Sequence, residues 1–375
     1  MTEICDLTAS EARRQIGTKG ISPVELLESC IDRTDAVNPT VNAVVTKCYE
    51  RARKEAALAE KQVLSGEPLG ILHGLPFGAK DLEATGQVRT TMGSKLYENN
   101  VPTEDQNSIA EIRANGGILI GKTNTPEFGA GANTRNLVFG ATGNPFDPNL
   151  SCAGSSGGSA VSLATGMFPL ATGSDYGGSL RTPASFCGVV GFRPSPGVVP
   201  NELRSVGLNP FSVLGPMGRT VKDAALLLSA MISDDPRDPF GIGINPDLTE
   251  PIHPADLSTL RVAISEDLGT APLDDDIRQC FRRKIKTIRH IFSLAHDRDP
   301  PFDDDLHRAF EVLRCVNYLA AHGEKLEAHR ELLSPNVIAN VDMANQFNMT
   351  DVAWAHKKQT ALYKGYVDMF GEIEI

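Results

Sequence analysis

The first 65 residues read as helical from their pattern of apolar and polar positions. Within them, "ISPVELLESCIDRTDAV" sets Ser22 as N-cap, Pro23 at the first helical position and Glu25 three residues after the serine. That is a capping box, with the proline where its missing N–H costs nothing. "YERARKEAALAEKQVL" is a strong helix by propensity, ended by Ser65 and Gly66.

From about residue 69 the texture changes to short apolar runs punctuated by Gly and Pro. "SIAEIRANGGILIGKTN" predicts a helix capped by Ser108, with Glu111 reaching back and Gly116-Gly117 stopping it before a strand at Ile118. "SAVSLATG" then reads as helix, "MFPLATGSD" as extended and "GVVGFRPS" as a short buried strand. Helices alternating with buried strands argue for an α/β sheet covered on both faces. Residues 233–258, rich in Pro and Asp without periodicity, read as a surface loop or linker. "TLRVAIS" resumes as a strand and "DDDIRQCFRRKIKTIRHIF" as a basic helix with acids at its start, which suits the helix dipole. The remainder to about residue 370 is mostly helical, and no internal repeat is present.

Composition narrows the function classes. A chain of 375 residues with 41% hydrophobic and 22% charged residues can bury a large core. A net charge of −11 argues against a nucleic-acid or anionic-membrane surface. The seven cysteines include no CxxC pair, which argues against a structural zinc or thioredoxin-like site and leaves reduced thiols in a cytoplasm as the best fit. The N-terminus does not read as a signal peptide, and no apolar run is long enough to predict a membrane span.

Candidate chemistry lies in two Gly/Ser segments, "CAGSSGGSA" at 152–160 and "GSDYGGSLRTPASFCG" at 173–188. A flexible linker is the bland reading, but both segments sit between apolar runs inside the α/β region. A phosphate loop lacks its GxxxxGK[ST] or GxGxxG pattern, and GxSxG fails around Ser179. A catalytic serine needs a base. Only His73 precedes residue 253, although a histidine from the C-terminal half stays available in three dimensions. "HGLPFGAKDLEATGQVRTT" offers Lys80 after an apolar run at what looks like a strand end. A lysine is ordinarily a solvated surface charge. Burial here would disfavour the ammonium and leave a neutral amine able to accept a proton near neutral pH.

Lys80 in "GLPFGAKDL", Ser155 in "GSSGGS" and Ser179 in "SDYGGSLRTPASF" together resemble the amidase signature family of serine hydrolases. The intervening "GILIGKTNTPEFGAGANTRNLVFGATGNPFDP" is similar as well. The likeness is dense from about residue 6 to 230 and thinner over 258–290. It implies Ser179 as nucleophile, Ser155 as bridging serine behind a cis peptide bond at Gly154-Ser155, and Lys80 as base. It also implies that backbone N–H groups of Tyr176, Gly177, Gly178 and Ser179 form the oxyanion hole and that Gly129 lines the acyl pocket. Asp175 and Arg181 then read as a supporting pair flanking the nucleophile, and Cys152 and Cys187 as buried packing residues.

Pattern and resemblance together predict a single large α/β domain with a central mixed sheet covered by helices on both faces. Its parts would be an N-terminal helical segment (1–65), the catalytic core (66–232), a loop (233–258) and a mostly helical α/β part (259–375). The implied activity is hydrolysis of a small-molecule carboxylic amide without cofactor or metal and without a direct nucleic-acid or membrane partner. A homodimer stays open. The alternatives are a glutaminase-like subunit of a transfer-RNA-dependent amidotransferase and an inactive family member. Two departures bear on them. Tyr176 stands where many members carry a smaller or aliphatic residue, and the chain stops at "GEIEI" where the family usually continues, so a shortened C-terminus is expected.

Overall fold

The computed structural model describes residues 3–241 and 252–375. In chain order it has α1 (Ala9–Gly17), α2 (Pro23–Val41), β1 (Val44–Lys47), α3 (Tyr49–Ser65), β2 (Pro76–Lys80), α4 (Asn107–Ala114) and β3 (Ile118–Thr123). A small pair follows, β4 (Arg135–Asn136) with β5 (Gly140–Ala141). Then come α5 (Gly157–Ala164), β6 (Leu170–Asp175), α6 (Arg181–Cys187), β7 (Val190–Gly191), β8 (Val213–Gly218) and α7 (Val221–Met231). The last elements are β9 (Arg261–Ile264), α8 (Asp275–Ile288), β10 (Leu294–Asp297), α9 (Leu306–His329), α10 (Pro335–Ala344) and α11 (Met349–Phe370).

Six strands form one mixed sheet in the order β1-β3-β2-β6-β8-β7. The middle is parallel: β2 pairs with β3 on one side and β6 on the other, so their carboxyl ends share one edge. In open α/β sheets that edge is where ligands bind. β1, β8 and β7 are joined antiparallel around this centre. Every residue of β2, β3 and β8 is buried, as expected of strands flanked by helices, and α3, α5 and α7 pack on the sheet. Phe77, Leu119 and Phe168 are fully buried in its core, and each such side chain contributes about 1.5–3 kcal/mol.

The chain divides into two compact units, Met1–Ile252 with Lys325–Ile338, and His253–Glu324 with Ala339–Ile375. The six-stranded sheet and the main apolar core belong to the first. The second holds the parallel pair β9–β10 with α8 and α11, and the main chain of Glu374 and Ile375 hydrogen-bonds to β9. Among the described residues no helix is long and apolar enough to cross a membrane.

The capping box forms as the sequence predicts: Ser22 Oγ accepts the Glu25 N–H (3.0 Å), and Glu25 Oε2 accepts the Ser22 N–H (2.8 Å). Gly66 ends α3 in the left-handed conformation. Other elements differ from the pattern. The N-terminal 65 residues are not all helical, because β1 runs through them as an edge strand on β3. Ser108 does not cap α4: Gln106 holds that position without a side-chain cap bond, and the Ser108 hydroxyl donates to the buried Glu83 Oε2 at 3.3 Å. A buried carboxylate outcompetes the helix end for that hydroxyl. "GVVGFRPS" supplies only the two half-buried residues of β7. Of the stretch at 233–258, residues 242–251 lie outside the described residues. Ahead of them Asp238 is buried, accepting the Asn201 N–H (2.9 Å) and pairing with Arg204 (3.3 Å).

Candidate active site

Lys80 ends β2 with its side chain fully buried. Its Nζ lies 2.7 Å from Ser155 Oγ, 2.9 Å from Ser156 Oγ and 2.9 Å from Ser174 Oγ. Three hydroxyls therefore converge on one amine at the carboxyl edge of the parallel strands. Burial pushes the lysine down to about 7, while the carboxylates of Glu83 and Asp175 pull the other way.

The proton arrangement follows from counting donors. Ser156 Oγ accepts the Ser174 N–H (3.3 Å) and donates its single hydrogen to the Ser174 carbonyl (3.3 Å), so toward Lys80 it is an acceptor. A neutral amine has two hydrogens and one lone pair. Giving one hydrogen to Ser156 leaves one hydrogen and the lone pair for the Ser155 and Ser174 hydroxyls, either of which can donate to the amine.

Ser155 and Ser156 precede α5, whose start is drawn tightly against the end of β3. The Gly158 N–H donates to the Asn124 carbonyl (3.1 Å), and a Cβ at Gly158 would come within 2.2 Å of the Asn124 nitrogen. Only glycine permits that approach. The Gly154-Ser155 peptide bond is cis. The two Gly/Ser segments meet where the Ser156 N–H donates to the Ser179 carbonyl (3.2 Å).

The turn carrying Ser179 is organised around the buried Asp175 carboxylate, which ends β6. Oδ1 accepts from Gly178 N–H (2.9 Å), Arg181 Nη2 (3.1 Å) and Arg193 Nη1 (3.1 Å). Oδ2 accepts from Leu180 N–H (3.1 Å) and Arg181 Nε (3.0 Å). Burial alone would raise this carboxyl, but these donors and the Arg181 charge outweigh it and hold it below its ordinary range.

One sequence expectation needs correcting here. The Gly178 N–H is committed to Asp175, so it does not serve as an oxyanion donor; a carboxylate three residues back had first claim on it. The N–H groups of Gly177 and Ser179 have no hydrogen-bond partner among the described residues. The Tyr176 ring tilts against that of Phe211, centroids 5.3 Å apart. Gly129 (φ +74°) lies beside the relay: a Cβ there would stand 3.1 Å from Leu82 Cδ1 and 3.4 Å from Ser155 Oγ. Asp175 and Arg181 are paired, as expected.

Sequence reasoning missed Ser156, Ser174 and Arg193. The first two lie inside the quoted segments, but only strand geometry aims their hydroxyls at Lys80. Cys152 and Cys187 are buried thiols pushed up to about 11 and about 12 by desolvation. His73, the one histidine of the first 250 residues, lies with Nε2 3.0 Å from the Ala59 carbonyl. Behind Lys80 a second buried lysine, Lys122, donates to the Glu83 carbonyl and to Thr85 Oγ1 (2.7 Å), and burial pushes Glu83 up to about 7. No cluster of three or more His, Cys, Asp or Glu suited to a metal ion occurs among the described residues.

The site thus brings together a buried amine, a hydroxyl in contact with it and a second serine on a turn with two unpartnered N–H groups among the described residues. The family model described as Amidase matches residues 25–311, and the chain belongs to that family. It is 40% identical to an acylamidase of Rhodococcus erythropolis over 72% of this chain and 57% of that one. It is 37% identical to a glutamyl-tRNA(Gln) amidotransferase subunit of Thermosynechococcus vestitus over 75% of this chain and 58% of that one. The chain thus spans under three fifths of the length of these curated relatives. Among solved structures, a bacterial aryl acylamidase of the amidase signature family superposes with a TM-score of 0.87 at 27% identity, covering 98% of this chain and 78% of that one.

Proposed function

We propose that the protein hydrolyses a carboxylic amide to acid plus ammonia or amine through an acyl-enzyme on Ser179. The observation that carries this reading is the buried Lys80 amine, 2.7 Å from Ser155 Oγ and pushed down to about 7. Ser179 Oγ attacks the carbonyl carbon and passes its proton to Ser155, which gives its own to Lys80. The N–H groups of Gly177 and Ser179 face the oxyanion as charge develops. The relay then runs backward to protonate the leaving nitrogen, since an amine leaves poorly as its anion. Water repeats the cycle on the ester so formed. No metal or cofactor is required by these steps.

The likeness to an acylamidase and an aryl acylamidase supports a small-molecule acyl amide as substrate, and the net charge of −11 supports a partner other than nucleic acid or membrane. Seven free cysteines support a reducing compartment such as the cytoplasm. A labelled fluorophosphonate followed by peptide mapping tests the reading: the label belongs on Ser179 and disappears in Ser179→Ala. Labelling elsewhere, or none on folded protein, refutes it.

A second reading, a glutaminase-like component of an amidotransferase, is favoured by relatives such as the glutamyl-tRNA(Gln) amidotransferase protein of Thermosynechococcus vestitus. Turnover of simple amides by the purified chain supports the first reading. Glutamine hydrolysis that depends on added partner proteins supports the second.

A further inference from the structure

The β6–β8 ladder runs antiparallel from Leu170↔Gly218 to its last rung at Asp175↔Val213. Past that rung the two strands separate: residues 176–180 turn toward α6, while β8 is entered from Phe211 and Ser212. Two carbonyls, of Asp175 and Phe211, are left facing the gap. A single guanidinium nitrogen bridges them. Arg193 Nη1 donates to the Asp175 carbonyl at 2.5 Å and to the Phe211 carbonyl at 2.9 Å, and it also reaches Asp175 Oδ1 at 3.1 Å.

Arg193 is carried on a rigid mount. Just before it, β7 pairs with β8 at Val190↔Gly218 and Gly191↔Met217, and the Phe192 N–H donates to the Pro216 carbonyl (3.1 Å). The two arginines on Asp175 therefore differ in kind. Arg181, 57% exposed, touches only the carboxylate and neutralises it. Arg193, 23% exposed, also grips main chain on both sides of the gap. All three contacts come from Nη1, and the planar guanidinium fixes where that nitrogen's two hydrogens point, an orientation that the freely rotating ammonium of lysine on its flexible stem does not fix.

We propose that Arg193 is a positioning residue for Ser179, extending the β6–β8 ladder one step past its last rung and locking residues 175–179 and Phe211 into one body. This rests on Ser179 being the nucleophile. The Gly177 and Ser179 N–H groups and the Ser179 hydroxyl then keep a fixed register to the Lys80–Ser155 pair. The Tyr176 ring, resting on Phe211, is held by the same grip.

Arg193→Lys and Arg193→Ala, compared with the unaltered chain, test the proposal through three readouts: fluorophosphonate labelling rate at Ser179 per folded molecule, kcat against KM on an amide, and response to added guanidinium. Arg193→Lys keeps the charge, so a purely electrostatic role predicts near-normal rates. The positioning role predicts that labelling and kcat fall together by roughly ten- to a hundredfold with KM little changed, because a small misplacement of reacting groups is that costly. Arg193→Ala falls further and is partly restored by guanidinium. Should Arg193→Ala fail to fold, Arg193→Lys decides alone. Lowered thermal stability with unaltered labelling per folded molecule overturns the proposal, as does normal kcat in Arg193→Lys. Absence of labelling in the unaltered chain refutes the nucleophile assignment itself, which is a separate outcome.

Discussion

Lys80 Nζ lies 2.7 Å from Ser155 Oγ, and among the described residues no carboxylate hydrogen-bonds that amine. A buried lysine normally keeps its charge by pairing with one. Surrounded by hydroxyls instead, Lys80 has neutral partners that serve either protonation state, so burial decides and the amine is free to cycle.

The pH profile follows with its sign. The base is the neutral amine, so kcat/KM rises with pH through about 7 and levels off above it, losing about tenfold per unit on the acid side. Glu83, itself near 7, favours the Lys80 ammonium, so the limb belongs to the pair. Glu83→Gln removes that attraction and moves the limb to lower pH, by up to about one unit. A limb that stays or moves upward in this variant rules the coupling out.

Lys80→Ala separates the two halves of the relay. Esters need little help in leaving, whereas amides need a proton on nitrogen. We expect amide hydrolysis to fall by about 10²–10⁴ and ester hydrolysis by less. Equal losses on acyl-matched amide and ester substrates count against the relay.

Gly129→Ala forces a side chain onto backbone at φ +74°, with a Cβ 3.4 Å from Ser155 Oγ and 3.1 Å from Leu82. A non-glycine residue held there costs about 1–3 kcal/mol. Urea unfolding should show that loss, and Ser179 labelling should slow because the relay serine is crowded. Unaltered labelling would place the strain away from Ser155.

What the sequence revealed was whatever a few adjacent residues decide. Ser22 and Glu25 close a capping box because the partners are three residues apart. Lys80 stood out because apolar residues precede it, which is what burial looks like in one dimension. The contacts that tune the site are long-range. Ser174 reaches Lys80 only because β6 lies beside β2, and Arg193 reaches Asp175 only because β7 follows β8 in the sheet.

Competition misled the sequence reading in two places. Ser108 and the Gly178 N–H each had an orthodox role in view, and in each case a buried carboxylate took the hydrogen. A buried anion needs several donors, and its requirement overrides a helix cap or an oxyanion contact. Local patterns do not show where such anions sit. β1 was lost for another reason: four residues between two strong helices carry too little alternation to register.

The placement of the thiols has a practical outcome. Cys5, Cys30, Cys152, Cys187 and Cys315 are buried, Cys48 is half-covered, and Cys280 on α8 alone is exposed. Desolvation raises the six shielded thiols and starves them of the reactive thiolate. A maleimide dye therefore decorates one surface position, Cys280, remote in sequence from Lys80, Ser155 and Ser179, and supplies a ready handle for immobilising or tracking the protein.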